Sequence, residues 1–107
     1  MNREDIAWAA GLFEGEGCIS WNGGSHGVCL MLSSTDEDTA RRFQEVVGLG
    51  PVYFRGRRQP HHKDAWRWEI RRFEYFQAVI AMFWPWLGLR RRARASEILR
   101  EKRELYR

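Results

Sequence analysis

The sequence predicts an α+β domain of element order α-ββα-ββα-α, with helices packed on one face of an antiparallel sheet. Three observations carry this. The spacing of apolar residues changes from helical three-and-four steps to strict alternation and back, twice along the chain. Glycine or proline stands at the changes, at Gly15, Gly17, Gly48, Gly50, Pro51 and Pro85. The chain has 107 residues, the size of one domain (1–107), and its six Trp, six Phe and three Tyr argue against disorder.

The first helix is expected from about Arg3 to Glu14, capped by Asn2 and stopped by Gly15 and Gly17. A half-buried strand follows over Cys18 to Asn22, where Ile19 and Trp21 alternate with Ser20 and Asn22. Gly23-Gly24-Ser25 reads as a hairpin loop into a strand from about His26 to Ser34. There Val28, Leu30 and Leu32 share one face, and Cys29, Met31 and Ser33 the other. Thr35 or Asp36 caps a second helix whose apolar stripe is Phe43, Val46 and Val47, ended by Gly48 and Gly50. Pro51 opens a third strand, with Val52 and Phe54 alternating with Tyr53 and Arg55. A polar loop, Arg57 to Lys63, leads to a fourth strand from Asp64 to Arg71. Phe73, Phe76, Val79, Ile80 and Phe83 space a third helix, closed by Pro85 and Gly88. A last helix is expected from about Arg91 to Tyr106, with Ala95, Ile98, Leu99 and Leu105 inward.

Composition excludes several classes. No apolar run approaches the roughly 20 residues of a membrane span, and the N-terminus lacks the plan of a signal peptide. Two cysteines, Cys18 and Cys29, make neither a disulfide framework nor a zinc set, and suggest a reducing, cytoplasmic setting. His61 and His62 lack the two further ligands a zinc site needs. The net charge is +4, and of eighteen basic residues only Lys63 and Lys102 are not Arg. Arginine's planar fork suits phosphate and the guanine edge, as well as ordinary ion pairs.

Within the first helix, Ala7, Ala10, Gly11 and Glu14 fall on one face. Small residues there allow two helices to approach more closely than the usual 8–10 Å or so, either within the chain or against a second copy.

The segment Ala9-Ala10-Gly11-Leu12-Phe13-Glu14-Gly15-Glu16-Gly17 resembles the LAGLIDADG motif of homing endonucleases. Ala10, Gly11, Leu12 and Gly17 are identical to it, Glu14 and Glu16 replace aspartates, Gly15 replaces an alanine, and Ala9 stands where the motif has leucine. The later order is similar as well: ββα, Gly-x-Gly, ββα, then Pro85-Trp86-Leu87 and basic residues. The resemblance implies a homing-endonuclease-like domain with a saddle-shaped sheet. It further implies a site-specific double-strand DNA endonuclease with one motif per chain. Such a chain acts as a homodimer on a long pseudo-palindromic site, is associated with intron or intein mobility, and needs no small-molecule cofactor. Glu16 and the Gly15 carbonyl would hold Mg²⁺, which prefers oxygen ligands and binds through one or two carboxylates plus phosphate oxygens. Asp36 would order water near the metal, with Thr35 beside it, or only cap a helix. Arg90 stands where the family has a basic residue; it stabilises phosphate charge but is a poor proton-transfer group. Arg91, Arg92 and Arg94 are either phosphate contacts or a solvated helix start. Ala7, Ala10, Gly11 and Glu14 would form the dimer interface.

The uncovered sheet face would then read duplex DNA in the major groove. Its expected members are Ser20, Asn22, His26, Cys29, Met31, Ser33, Tyr53, Arg55 and Arg57. On the fourth strand, Trp66, Trp68 and Ile70 read inward and turn Arg67 and Glu69 outward, unless a bulge intervenes. A rival reading is a cleavage-inactive DNA- or RNA-binding relative, a regulator or an intron maturase; the presence of Glu16 weighs against lost cleavage.

Overall fold

The computed structural model of the chain describes residues 2–21, 27–56, 59–61 and 63–105. The elements run α1 (Arg3–Glu16), β1 (Gly17–Trp21), β2 (Val28–Ser34), α2 (Glu37–Val47), β3 (Val52–Phe54), β4 (Trp66–Ile70) and α3 (Phe73–Phe83). A 3₁₀ turn at Trp84–Trp86 then leads to α4 (Leu89–Leu105). This is the expected order. The hairpin loop Gly23-Gly24-Ser25 lies outside the described residues. None of the helices described is long and apolar enough to cross a membrane.

Local chemistry sets most of the boundaries. The Asn2 side chain accepts from the Asp5 amide at 2.8 Å and starts α1. Asp36, rather than Thr35, caps α2, accepting from the Asp38 amide at 3.1 Å. Gly48 ends α2 in the left-handed conformation and donates its N–H to the Gln44 carbonyl.

One boundary differs from expectation. Helix α1 continues through Gly15 to Glu16, and neither glycine at its end has positive φ. Glycine costs about 1 kcal/mol in a helix, but two contacts hold the last turn. The Gly17 amide bonds to the Phe13 carbonyl, and Arg91, 77 residues on, caps the Glu14 carbonyl. Gly17 must itself be glycine, because a Cβ there would lie 2.6 Å from the Phe13 carbonyl oxygen and overlap its ring.

The four strands form one antiparallel sheet in the order β1-β2-β4-β3. The register aligns Ile19 with Leu30 and Ile70, and Leu32 with Trp68 and Val52, on the helix-covered face. Trp68 is the hub of the core: its ring meets Phe43 at 4.8 Å and Phe13 at 6.3 Å, both edge-on. Its indole N–H reaches the Leu49 carbonyl at 2.8 Å, so the buried donor is satisfied. Ala95 and Ile98 of α4 are fully buried, and Leu99 packs against them in part.

The face that α1 buries corrects the sequence reading. Ala9, Ala10 and Phe13 have no exposed surface within the single chain, and Ile6 packs beside them. Ala10 is therefore a core residue and unavailable to an interface. Its small side chain lets α1 settle onto its own domain, with Phe13 filling the space against Trp68. The outward stripe is rotated to Glu4, Ala7, Gly11 and Gly15, where Gly11 and Gly15 are exposed and Ala7 half-buried.

Candidate functional site

Two features remain once the core is accounted for: the C-terminal end of α1, and the sheet face without helices.

At the helix end, Gly15 and Glu16 are both exposed. The Gly15 carbonyl is among the last four of the helix, which α-helical geometry leaves without intrahelical partners. Gly17 opposes Leu32 on β2, so this end and the Ser34–Asp36 corner lie at the same end of the sheet. Asp36 is exposed, but both its carboxylate oxygens are engaged, one with the Asp38 amide and the other with the Thr39 hydroxyl at 2.9 Å. Its observed work is capping. Arg90 is exposed on the rim of a cavity of about 390 Å³ shared with Gly17, Cys18, Ile19, Arg91 and Arg94.

Arg91 is the residue that sequence reasoning undervalued. Its Nη2 donates to the Gly17 carbonyl at 2.8 Å and to the Glu14 carbonyl at 3.1 Å. Its Nε lies 3.1 Å from the Glu14 carboxylate, and its side chain is only 11% exposed. Glu14 also accepts from the Gly88 amide at 3.1 Å. Both groups thus tie α1 to the start of α4. Arg91 is therefore a largely buried clamp rather than a solvated helix start, and the Glu14 carboxylate faces its own chain. Arg92 likewise turns inward, onto the Trp84 carbonyl and ring, while Arg94 pairs with Glu97.

On the sheet, alternation places Cys18, Ser20, Cys29, Met31, Ser33, Tyr53, Arg67 and Glu69 opposite the core face. Trp68 and Ile70 are buried and Trp66 partly so, which resolves the β4 register as expected. Arg55 continues this edge beyond β3, its amide bonded to the Ala65 carbonyl at 2.7 Å. Asn22, His26 and Arg57, also expected here, lie outside the described residues.

Glu69 is the centre of this face. Its carboxylate accepts the Tyr53 hydroxyl, meets Arg71 at 3.1 Å and Arg67 at 4.0 Å, and lies 3.7 Å from the Cys29 thiol. Burial pushes this carboxyl up, but the Tyr53 and Arg71 hydrogen bonds and the two guanidinium charges outweigh it and hold it below the ordinary value. Burial and the Glu69 carboxylate together raise the Tyr53 hydroxyl and the Cys29 thiol.

Among the described residues no group of three His, Cys, Asp or Glu side chains can hold a metal ion. One exposed carboxylate and one helix-end carbonyl nonetheless suit half of a Mg²⁺ site, the other half being a second carboxylate and phosphate oxygens.

An α-ββα-ββα-α chain on an open four-stranded antiparallel sheet has the fold of the LAGLIDADG homing endonucleases, which are its neighbours among solved structures. The homing endonuclease I-CvuI, solved in complex with its target, matches with a TM-score of 0.69 at 22% identity over 92% of this chain and 68% of that one. The LAGLIDADG meganuclease I-AabMI, bound to uncleaved DNA, matches with a TM-score of 0.66 at 13% identity over 92% of this chain and 34% of that one. The intron-encoded I-CeuI, complexed with DNA, gives 0.64 at 13% identity over 91% and 53%. No protein-family model and no curated protein matches the sequence. At these identities the likeness is one of fold.

Proposed function

We propose that this chain is a metal-dependent DNA endonuclease that works as a two-fold homodimer and cuts both strands of a long, roughly palindromic duplex site. One observation carries the reading. Of the glycines in the motif segment, Gly17 is required by the chain's own packing, whereas a Cβ at Gly11 or Gly15 would meet nothing within 4 Å. Both lie on the exposed stripe of α1 that ends at Glu16. Small residues on an uncovered helix face suit close approach of a second copy about a two-fold axis, which would bring two Glu16 carboxylates together. Ala7 and Gly11 then form the contact, without Ala10.

In this reading Glu16 and the Gly15 carbonyl hold Mg²⁺. The bound ion supplies an activated water and charge neutralisation at the phosphate. Two carboxylates brought close repel each other, and a cation shared between the twin Glu16 groups would offset that repulsion. Arg90, exposed beside the helix end, stabilises charge on the scissile phosphate; a guanidinium is a poor proton-transfer group and does not move the proton. Asp36 orders water at the same end. The open face, with Ser20, Asn22, His26, Met31, Ser33, Tyr53, Arg55, Arg57, Arg67 and Glu69, lies against the bases. That I-CvuI was solved with DNA in the presence of Ca, and with uncleaved DNA in the presence of Mg, supports the reading of a duplex-binding protein that meets divalent metal.

The test is cleavage of a randomised duplex library with Mg²⁺ and then with chelator, for the wild type and Glu16→Gln. Cutting should require the metal and vanish in Glu16→Gln, while binding to the selected site survives. Cleavage by Glu16→Gln at the wild-type rate removes Glu16 from the mechanism.

A further inference from the structure

We propose that Glu69 is a positioning residue for base recognition: its carboxylate, 4.0 Å from Arg67 Nη1, draws the Arg67 guanidinium toward one orientation by charge, so that its accessible N–H groups are presented to a guanine edge. The inference rests on the DNA reading above and goes beyond it by assigning separate roles to residues that share one face.

Glu69 itself is poorly placed to read a base. Its side chain is 11% exposed, and both oxygens already face donors, Tyr53 on one and Arg71 and Arg67 on the other. Left alone on a DNA-facing sheet, a carboxylate would repel phosphate. Shared between two guanidinium groups, it leaves the cluster with one net positive charge.

Arg67 has the opposite character. It sits on β4, an interior strand, with Ser33 of β2 and Tyr53 of β3 directly across from it. Its side chain is 22% exposed, and Nη1 points toward Glu69. Its Nε is buried without a hydrogen-bond partner. Guanidinium is a rigid planar fork with five donors, so a charge pairing at Nη1 biases the orientation of the rest. A fork oriented in this way suits the paired N7 and O6 acceptors of guanine. Arg71, beyond the end of the same strand and 66% exposed, is hydrogen-bonded to Glu69 at 3.1 Å and keeps its remaining donors at the surface, where they suit a phosphate, which carries no sequence information.

The experiment measures binding, without cleavage, of the full chain to a pool in which each base pair of the selected site is varied, at several salt concentrations. Arg67→Ala should lose about 5- to 150-fold in discrimination at one position of each half-site. Glu69→Gln should lose at least about 5-fold at that same position, and the double variant little more than either alone. Arg71→Ala should weaken all sequences alike and reduce the logarithmic salt slope by about 1. Should Glu69→Gln fail to fold, Tyr53→Phe carries the same readout, since it removes one hydroxyl from a partly exposed ring. A selective wild type whose Glu69→Gln variant keeps its profile, or loses affinity uniformly, overturns the inference alone. A wild type with no sequence preference overturns both the inference and the endonuclease reading.

Discussion

The Arg91 guanidinium lies 3.1 Å from the Glu14 carboxylate, joining the last turn of α1 to the first turn of α4 across 77 residues of sequence. The same guanidinium caps carbonyls at the helix end, where the backbone carries partial negative charge that a cation offsets. The residues proposed to hold metal therefore sit on a turn braced from outside the motif.

Arg91→Met should be strongly destabilising. It removes a largely buried cation, leaving the Glu14 and Gly17 carbonyls without their donor and the half-buried Glu14 carboxylate without its ion-pair partner. The expected loss is about 2–3 kcal/mol in urea unfolding. Arg90→Met, one residue away on an exposed position, should change stability by no more than about 0.5 kcal/mol. Equal effects of the two would show that the clamp does not hold in solution.

Gly50 marks a second demand of the fold. Its φ is +88°, and a Cβ would lie 2.8 Å from the Trp68 indole nitrogen and 3.0 Å from the Glu69 carbonyl. Gly50→Ala should cost about 2–3 kcal/mol, from backbone strain and overpacking together. Gly48→Ala has a similar φ but open space and should cost only about 1 kcal/mol. The difference in urea midpoints measures the close approach.

Ala10 and Gly11 should separate folding from assembly. Ala10→Leu forces three extra carbons into a site with no exposed surface and should cost about 1–3 kcal/mol of fold stability. Gly11→Leu projects into open space and should not destabilise the isolated chain, gaining up to about 1 kcal/mol in urea unfolding from the better helix former. In light scattering it should convert a dimer to a monomer. An unchanged dimer mass would move the interface off this stripe.

The Glu69 carboxyl, held below its ordinary value, contributes stability that is full above the unfolded carboxylate pKa. That stability is lost as pH falls through the lowered, folded value. The stability gap between wild type and Glu69→Gln should be constant from about pH 7 to pH 5 and close below about pH 4. A gap that stays constant to low pH would mean that the ion cluster does not form.

Element order, the caps Asn2 and Asp36, and the inward set of β4 were legible because each depends on residues within four or five positions of one another. Trp66, Trp68 and Ile70 declare their face by alternation alone. The misreadings share a different cause. Helix α1 is small or apolar around much of its circumference, so periodicity alone does not say which small stripe is buried, and Ala10 reads as outward although it lies in the core. Gly15 looked like a stop, because nothing local shows Arg91 capping the turn beyond it.

By itself, then, the sequence determined the α-ββα-ββα-α order, the open polar face, and the position of Glu16 in a motif segment at a helix end. Only the tertiary structure decided which face of α1 lies inside, that Glu14 and Arg91 clamp each other, and that Glu69 gathers Tyr53, Arg67 and Arg71. Secondary structure and sheet faces follow from the period of neighbouring side chains. The partner of a half-buried charge is chosen only when distant elements close on one another, and burial then makes an unpaired charge too costly to leave.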